Sequence, residues 1–144
     1  MRFFKSIFTA FTIWVLAALL NALLSGSWVT FFSKEMFSWP GAFILVFIFT
    51  LIFSIPGMFI FWIVMLINWN EELLFRTLLK TGFIISALSS LWLYLLDDFG
   101  MKGQQLFLSL GIVISAIGSI MAHHSILKMI YTNKISQNYV SDNY

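Results

Sequence analysis

PGAFILVFIFTLIFSIPGMFIFWIVMLI, residues 40–67, runs for 28 residues without a charged side chain. A helix needs about 20 apolar residues to cross the hydrocarbon core of a bilayer, so this stretch is long enough to span it. In lipid a lone strand would leave its backbone N–H and C=O groups unpaired, so the span must be helical. Three further apolar stretches accompany it, at about 7–32, 78–96 and 105–126. Together they predict an all-α integral membrane protein with four transmembrane helices in one bundle.

Composition agrees with that reading. The 144 residues are 60% hydrophobic and 10% charged, with a mean hydropathy of +0.95. A chain this short keeps too much of itself on the outside to hide so much apolar surface from water. The net charge of +2 comes from few residues and leaves no dense basic face for nucleic acid. With no cysteine, the sequence excludes structural disulfides, thiolate metal sites and cysteine redox relays.

The basic residues set the orientation. With both termini on the cytoplasmic side, Arg2, Lys5, Arg76, Lys80, Lys128 and Lys134 lie inside and only Lys34 and Lys102 outside. That imbalance predicts an N-in, C-in topology. Trp28, Trp39, Trp92 and Tyr94 then fall near the outer ends and Trp69 and Tyr131 near the inner ends, as interfacial anchors. The transmembrane domain covers 1–131, and the polar run 132–144 is expected as a flexible cytoplasmic tail because it carries too little apolar surface to order itself. A cleaved signal peptide is the rival reading of the first stretch, since Ser25-Gly26-Ser27 could be cut. Signal-peptide cores are about 7–15 residues, however, and this apolar run continues from Ile7 to Leu24. The lack of cysteine with abundant Phe, Ile, Lys and Asn suits a bacterial inner membrane, that is, a plasma membrane crossed several times.

Pro56-Gly57 lies well inside the quoted stretch, and the missing proline amide deprives the Ile52 carbonyl of its helical partner. A kink is expected there, with Thr50 and Ser54 able to satisfy freed carbonyls. After the polar turn Asn68-Trp69-Asn70, Glu72, Arg76 and Lys80 follow at i, i+4 spacing, acid before base, in the order that favours helix pairs. That surface reads as a solvated helix start with snorkelling cations, or as a docking surface for anionic lipid.

The third and fourth stretches echo each other. Residues 82–91, GFIISALSSL, and 111–120, GIVISAIGSI, share five of ten positions at an offset of 29. Each carries small residues at i, i+4 and i+8: Gly82, Ser86 and Ser90 in one, Gly111, Ser115 and Ser119 in the other. The first stretch adds Ala18, Ala22 and Gly26. Small residues let helix backbones approach closely where no hydrophobic effect operates between helices. These nine positions are the expected helix-packing residues, and the echo itself is either shared packing composition or a remnant of an inverted repeat.

Residues that could carry chemistry are few. No ionisable side chain sits at the centre of a span, where such groups are costly and functional by default. The deepest polar side chains, Asn21, Thr50, Ser54 and the serines of the two echoes, are uncharged. Ser119 and His123 share a helix face, the minimum for nucleophilic catalysis, yet no orienting acid lies nearby in sequence. His123 and His124 diverge by about 100° around a helix and cannot easily chelate one ion. Asp97 and Asp98 with Gly100 and Gly103 read as a solvated turn more readily than as a cation site.

No metal or cofactor is expected. The redox cysteines, the first-helix glutamate of small multidrug exporters and the paired cysteines of tetraspanin-like proteins are all absent. The expected function is therefore a non-catalytic accessory, assembly or regulatory subunit, whose partners are the lipid bilayer and other membrane helices in a hetero- or homo-oligomer. The alternative is a small homo-oligomeric channel or transporter with Asn21, Thr50 and Ser54 as its polar lining and Pro56 and Gly57 at its kink.

Overall fold

A computed structural model describes residues 2–32, 38–69, 73–95 and 102–125. They form five α-helices: α1 (Arg2–Phe32), α2 (Trp39–Phe53), α3 (Ile55–Ile67), α4 (Leu74–Leu95) and α5 (Lys102–Ala122). Lys34, Glu71, Glu72, Asp97, Asp98, Gly100, Lys128, Tyr131, Lys134 and the tail 132–144 lie outside the described residues, as do the side chains of Tyr94 and Lys102.

α1 starts at Arg2, ahead of the expected Ile7, and its 31 residues span about 46 Å at 1.5 Å per residue. No proline interrupts it. Four of its hydroxyls return to its own carbonyls: Ser6 donates to Phe3 O (2.9 Å), Thr9 to Lys5 O (2.8 Å), Thr12 to Thr9 O (2.9 Å) and Thr30 to Gly26 O (2.9 Å). A hydroxyl satisfied in this way can be buried in an apolar setting without an orphaned donor.

α2 follows Ser38, which is extended (φ −67°, ψ 151°), and carries Pro40 in its first turn, where the missing N–H costs nothing. α2 and α3 meet at Ser54 at an angle of 55°. Pro56 stands two residues beyond that break and cannot supply the amide that would bond Ile52. The Ser54 N–H reaches the Thr50 and Ile52 carbonyls instead, and the helix resumes with Met58 N–H donating to Ser54 O at 2.9 Å. α4 begins at Leu74, earlier than the expected 78, and α5 ends at Ala122 with the His123 N–H shared between Ser119 O and Ile120 O.

α1, the bent pair α2–α3, α4 and α5 run in alternating directions. At one end of the molecule Ser6 of α1 meets Trp62 of α3, and Phe75 of α4 meets His124 just past α5. At the other end Trp28 of α1 stacks on Phe107 of α5, and Trp39 of α2 reaches Ser27. α1 packs on α2, α3 and α5, while α4 closes onto α5 and α3. Two helices, α1 over Phe3–Phe31 and α4 over Leu74–Trp92, are long and apolar enough to cross a membrane, and the bent pair α2–α3 makes a third if it is one span. The apolar part of α5 within the described residues, Leu106–Ala122, is shorter, about 25 Å long.

A cluster of Ala10, Ile13, Phe61, Met65, Trp69, Leu74, Leu78 and Ile120 fills the end of the molecule where α1 begins. Trp69, expected as an interfacial anchor, is a core residue there, only 7% exposed. It belongs to the same buried cluster as Leu74 and Leu78 of α4. Trp39 and Trp92, by contrast, are exposed at the ends of their helices.

Candidate functional site

The buried polar side chains of the described residues are Ser6, Thr9, Asn21, Ser25, Ser86, Ser109, Ser115 and Ser119, none of them charged. Two of them, Asn21 and Ser25, join Trp14, Thr50 and Ser54 in a chain of hydrogen bonds that links α1 to α2. Asn21, midway along α1, donates through Nδ2 to Thr50 Oγ1 of α2 at 2.8 Å. Thr50 Oγ1 in turn donates to Val46 O at 2.7 Å, one turn back on its own helix. On the other side Ser25 Oγ donates to Asn21 Oδ1 at 2.9 Å. Seven residues before Asn21 on α1, Trp14 donates through Nε1 to Ser54 Oγ at 2.7 Å, and that hydroxyl donates to the Thr50 carbonyl.

Two glycines set how closely the helices approach this chain. A Cβ on Gly26 would lie 3.1 Å from Phe43 Cα and 3.3 Å from Phe43 N, so α1 and α2 meet backbone to backbone. A Cβ on Gly111 would lie 2.8 Å from Ser25 Oγ and 3.2 Å from Asn21 Oδ1, so α5 can lie against the Asn21–Ser25 pair only because that Cβ is missing. Below it Ser119 Oγ donates to Ile13 O of α1 at 2.7 Å, and Ser115 Oγ to the Gly111 carbonyl. A hydrogen bond between helices is worth about 0.6 kcal/mol on average inside a membrane protein, so the chain fixes register as much as it adds stability.

Of the nine small residues expected to pack helices, Ala18, Ala22, Gly26, Gly82, Ser86, Gly111, Ser115 and Ser119 are buried and Ser90 is half-buried. They meet partners within this chain. Gly82 of α4 receives the end of Ile120 from α5, and the Ser90 carbonyl accepts from Ser109 Oγ at 3.3 Å. The two echoed stretches therefore face each other head to tail, the start of one against the end of the other. On α2–α3, Gly57 lies against Ile85 of α4, a Cβ there falling 2.8 Å from Ile85 Cγ2.

Ser119 and His123 are not arranged as nucleophile and base. The Ser119 hydroxyl is committed to the Ile13 carbonyl, and His123 Nδ1 lies 2.9 Å from the Ser119 backbone carbonyl, to which it donates in the matching tautomer. His124 sits 4.4 Å from the Phe75 ring, between centroids. Among the described residues no three of His, Asp and Glu gather to hold a metal ion.

Sequence reading singled out Asn21, Thr50 and Ser54 but missed Trp14 and Trp62, which make bonds of the same interhelical kind, and Ser25, which bonds Asn21 within α1; Trp62 Nε1 donates to Ser6 Oγ at 3.2 Å. Ser25 stands four residues after Asn21, a helical neighbour visible in the sequence. The indoles had no such signal, because a tryptophan in an apolar run looks the same whether its N–H is bonded or not.

Comparison of the chain with family models, with curated proteins and with solved structures gave no match.

Shallow, wide-open depressions lie on the outer surface of the described residues. One of about 690 Å³ lies along the first turns of α1 beside α3, lined by Phe4, Lys5, Ile7, Phe8, Phe11 and Met58. Another, about 380 Å³, lies between α4 and α5 near Ala87, Ser90 and Ser109. The outward faces are strongly apolar, with Phe4, Phe53, Ile67, Phe8 and Trp92 each about two-thirds or more exposed.

Proposed function

We propose that this chain is a four-span integral membrane protein with both termini in the cytoplasm, its second span bent at Ser54–Pro56, and that it serves as a non-catalytic accessory, assembly or regulatory subunit of a larger membrane complex. The observation that carries the reading is the state of its interior. Asn21, Thr50, Ser54 and Ser119 bond to neighbouring helices or to their own backbone, which supports a structural clamp over a polar pathway or a reaction centre. No ionisable side chain is among the buried described residues, whereas membrane transport and catalysis usually rely on such groups. The small-residue stripes are engaged within the chain, so a partner would be met by the bulky aliphatic and aromatic outer faces, chiefly those of α1 and α2. A bacterial inner membrane fits the composition.

The test is gentle extraction of the tagged protein from its native membrane, followed by the intact mass of the complex that leaves with it. A defined heteromer is the expected result. A homo-oligomer that supports solute flux in proteoliposomes, with flux altered by Asn21→Leu, would replace this reading with that of a channel or transporter.

A further inference from the structure

The bent pair α2–α3 lies against α1 on both sides of its break. On the α2 side Thr50 Oγ1 accepts from Asn21 Nδ2 at 2.8 Å, and the Phe43 backbone packs on Gly26, where a Cβ would fall 3.1 Å from Phe43 Cα. On the α3 side Trp62 Nε1 donates to Ser6 Oγ at 3.2 Å, and the Trp62 ring stands edge-on to Phe3 with 5.3 Å between centroids. At the break itself Ser54 Oγ accepts from Trp14 Nε1 at 2.7 Å and donates to the Thr50 carbonyl. From Ser6 to Gly26 along α1, the partners run back in order from Trp62 to Phe43. One uninterrupted helix therefore holds both limbs and the apex between them. Pro56 does less. Its missing amide frees the Ile52 carbonyl and loosens the helix there, but one absent bond does not say at what angle the limbs part.

We infer that α1 is a brace that sets the 55° bend, and that the bend is a fixed shape of the fold rather than a proline hinge. An amide restored at position 56 would return one backbone bond to a straightened helix. Straightening would pull a limb away from α1 and cost its hydrogen bond together with its packing. The α3 limb is also held by α4, since a Cβ on Gly57 would lie 2.8 Å from Ile85 Cγ2, so α2 is the limb that the brace has to hold. A gate at Pro56 would need limbs that move, so a braced bend favours a structural subunit over a channel.

The chain has no cysteine, so spin labels can be placed at will in the full-length protein. Ile44 of α2 and Ile67 of α3 are exposed and suit a pair of labels read by pulsed electron spin resonance. With ten residues on one side of Ser54 and thirteen on the other, a 55° bend separates the two Cα atoms by about 31 Å and a straight helix by about 35 Å. Pro56→Ala should keep the distance of the unaltered protein. Trp14→Phe with Thr50→Val, added to Pro56→Ala, removes the apex bond and the α2 bond while nearly keeping side-chain volume. The ratio of the longer to the shorter distance should then rise about sevenfold, the equivalent of two interhelical bonds of ~0.6 kcal/mol each. A second pair on exposed Leu19 of α1 and Leu88 of α4 should not move in any variant. Lengthening by about 4 Å in Pro56→Ala alone would show that the proline sets the angle and would overturn the inference. So would a triple variant that keeps the distance of the unaltered protein, since Trp14 and Asn21 would then not be the brace. If both pairs spread together, the bonds hold the whole fold rather than the bend, and the assignment fails.

Discussion

α1 and α2 are both apolar helices, yet they are built on opposite rules. Along its length α1 buries Ser6, Thr9, Ala10, Ile13, Ala18, Asn21, Ala22, Ser25 and Gly26, small or polar residues almost throughout. α2 has no polar side chain between Trp39 and Thr50, and the one residue it buries is Ala42, while Ile44, Ile48, Phe49, Ile52 and Phe53 face outward. In water the more hydrophobic helix would occupy the centre. In the bilayer proposed for this chain, lipid is as apolar as leucine, so burial follows from close backbone approach and from bonds that polar groups can find only in one another. Between α1 and α2, hydrophobicity is therefore a poor guide to what is buried, and side-chain size is a better one.

The largest break in that contrast should come from Gly26→Leu. The neighbour that its Cβ would strike is the backbone of Phe43, which cannot rotate away, so α1 and α2 must separate. Overpacking of this kind costs about 1–3 kcal/mol, and the loss of the Asn21–Thr50 bond as the helices part adds to it. Titration with denaturing detergent in mixed micelles, followed by tryptophan fluorescence, should show the midpoint fall well below that of the unaltered protein. A midpoint that does not move would mean that α1 and α2 are not in backbone contact.

Gly111→Ala should be milder, because the atom it meets is a side-chain hydroxyl. Ser25 Oγ can turn away, but only by giving up its bond to Asn21 Oδ1, so a cost of about 1 kcal/mol is expected. The two positions are coupled. In a Ser25→Ala background the 2.8 Å contact disappears, and Gly111→Ala should then cost less than about half as much. Equal costs in both backgrounds would show that α5 does not rest on the Asn21–Ser25 pair.

How much of this was legible beforehand follows from the same contrast. Helical structure and the apolar segments could be read because length and hydropathy alone decide them. Asn21, Thr50 and Ser54 stood out as polar residues in apolar runs, and the small residues at i, i+4 and i+8 stood out by spacing. The pairing did not. Nothing in the sequence says that Gly111 meets Asn21 and Ser25 or that Trp14 reaches Ser54, because these contacts join residues 40 to 90 positions apart and depend on the angle at which α2 leaves α3. Trp69 misled for a related reason. A tryptophan at a helix end suits an interface and a capped core equally well, and only the return of α4 over it decides between them.

Asn21→Leu should act at about the same scale as Gly111→Ala or slightly above it. It removes the donor to Thr50, an interhelical bond of about 0.6 kcal/mol, together with the acceptor for Ser25 within α1, and places a branched side chain opposite Gly111. The readout is again the midpoint in mixed micelles, with Thr50→Val as the partial version. Thr50→Val keeps the shape at α2 and should cost roughly half as much, since it leaves the Ser25–Asn21 bond in place.

The smallest effect should come from the most apolar region. Phe53, 75% exposed at the end of α2, would cost about 3–5 kcal/mol to truncate if it were part of a core. Its ring is instead turned outward, stacked loosely on Phe49 at 5.7 Å between centroids. In micelles the detergent replaces the lost contacts, so Phe53→Ala should shift the midpoint by no more than about 0.5 kcal/mol, as for other surface positions. A loss near the core value would mean that α2 is covered on the side that now lies bare. The contrast with α1 would then be one of missing neighbours rather than of construction.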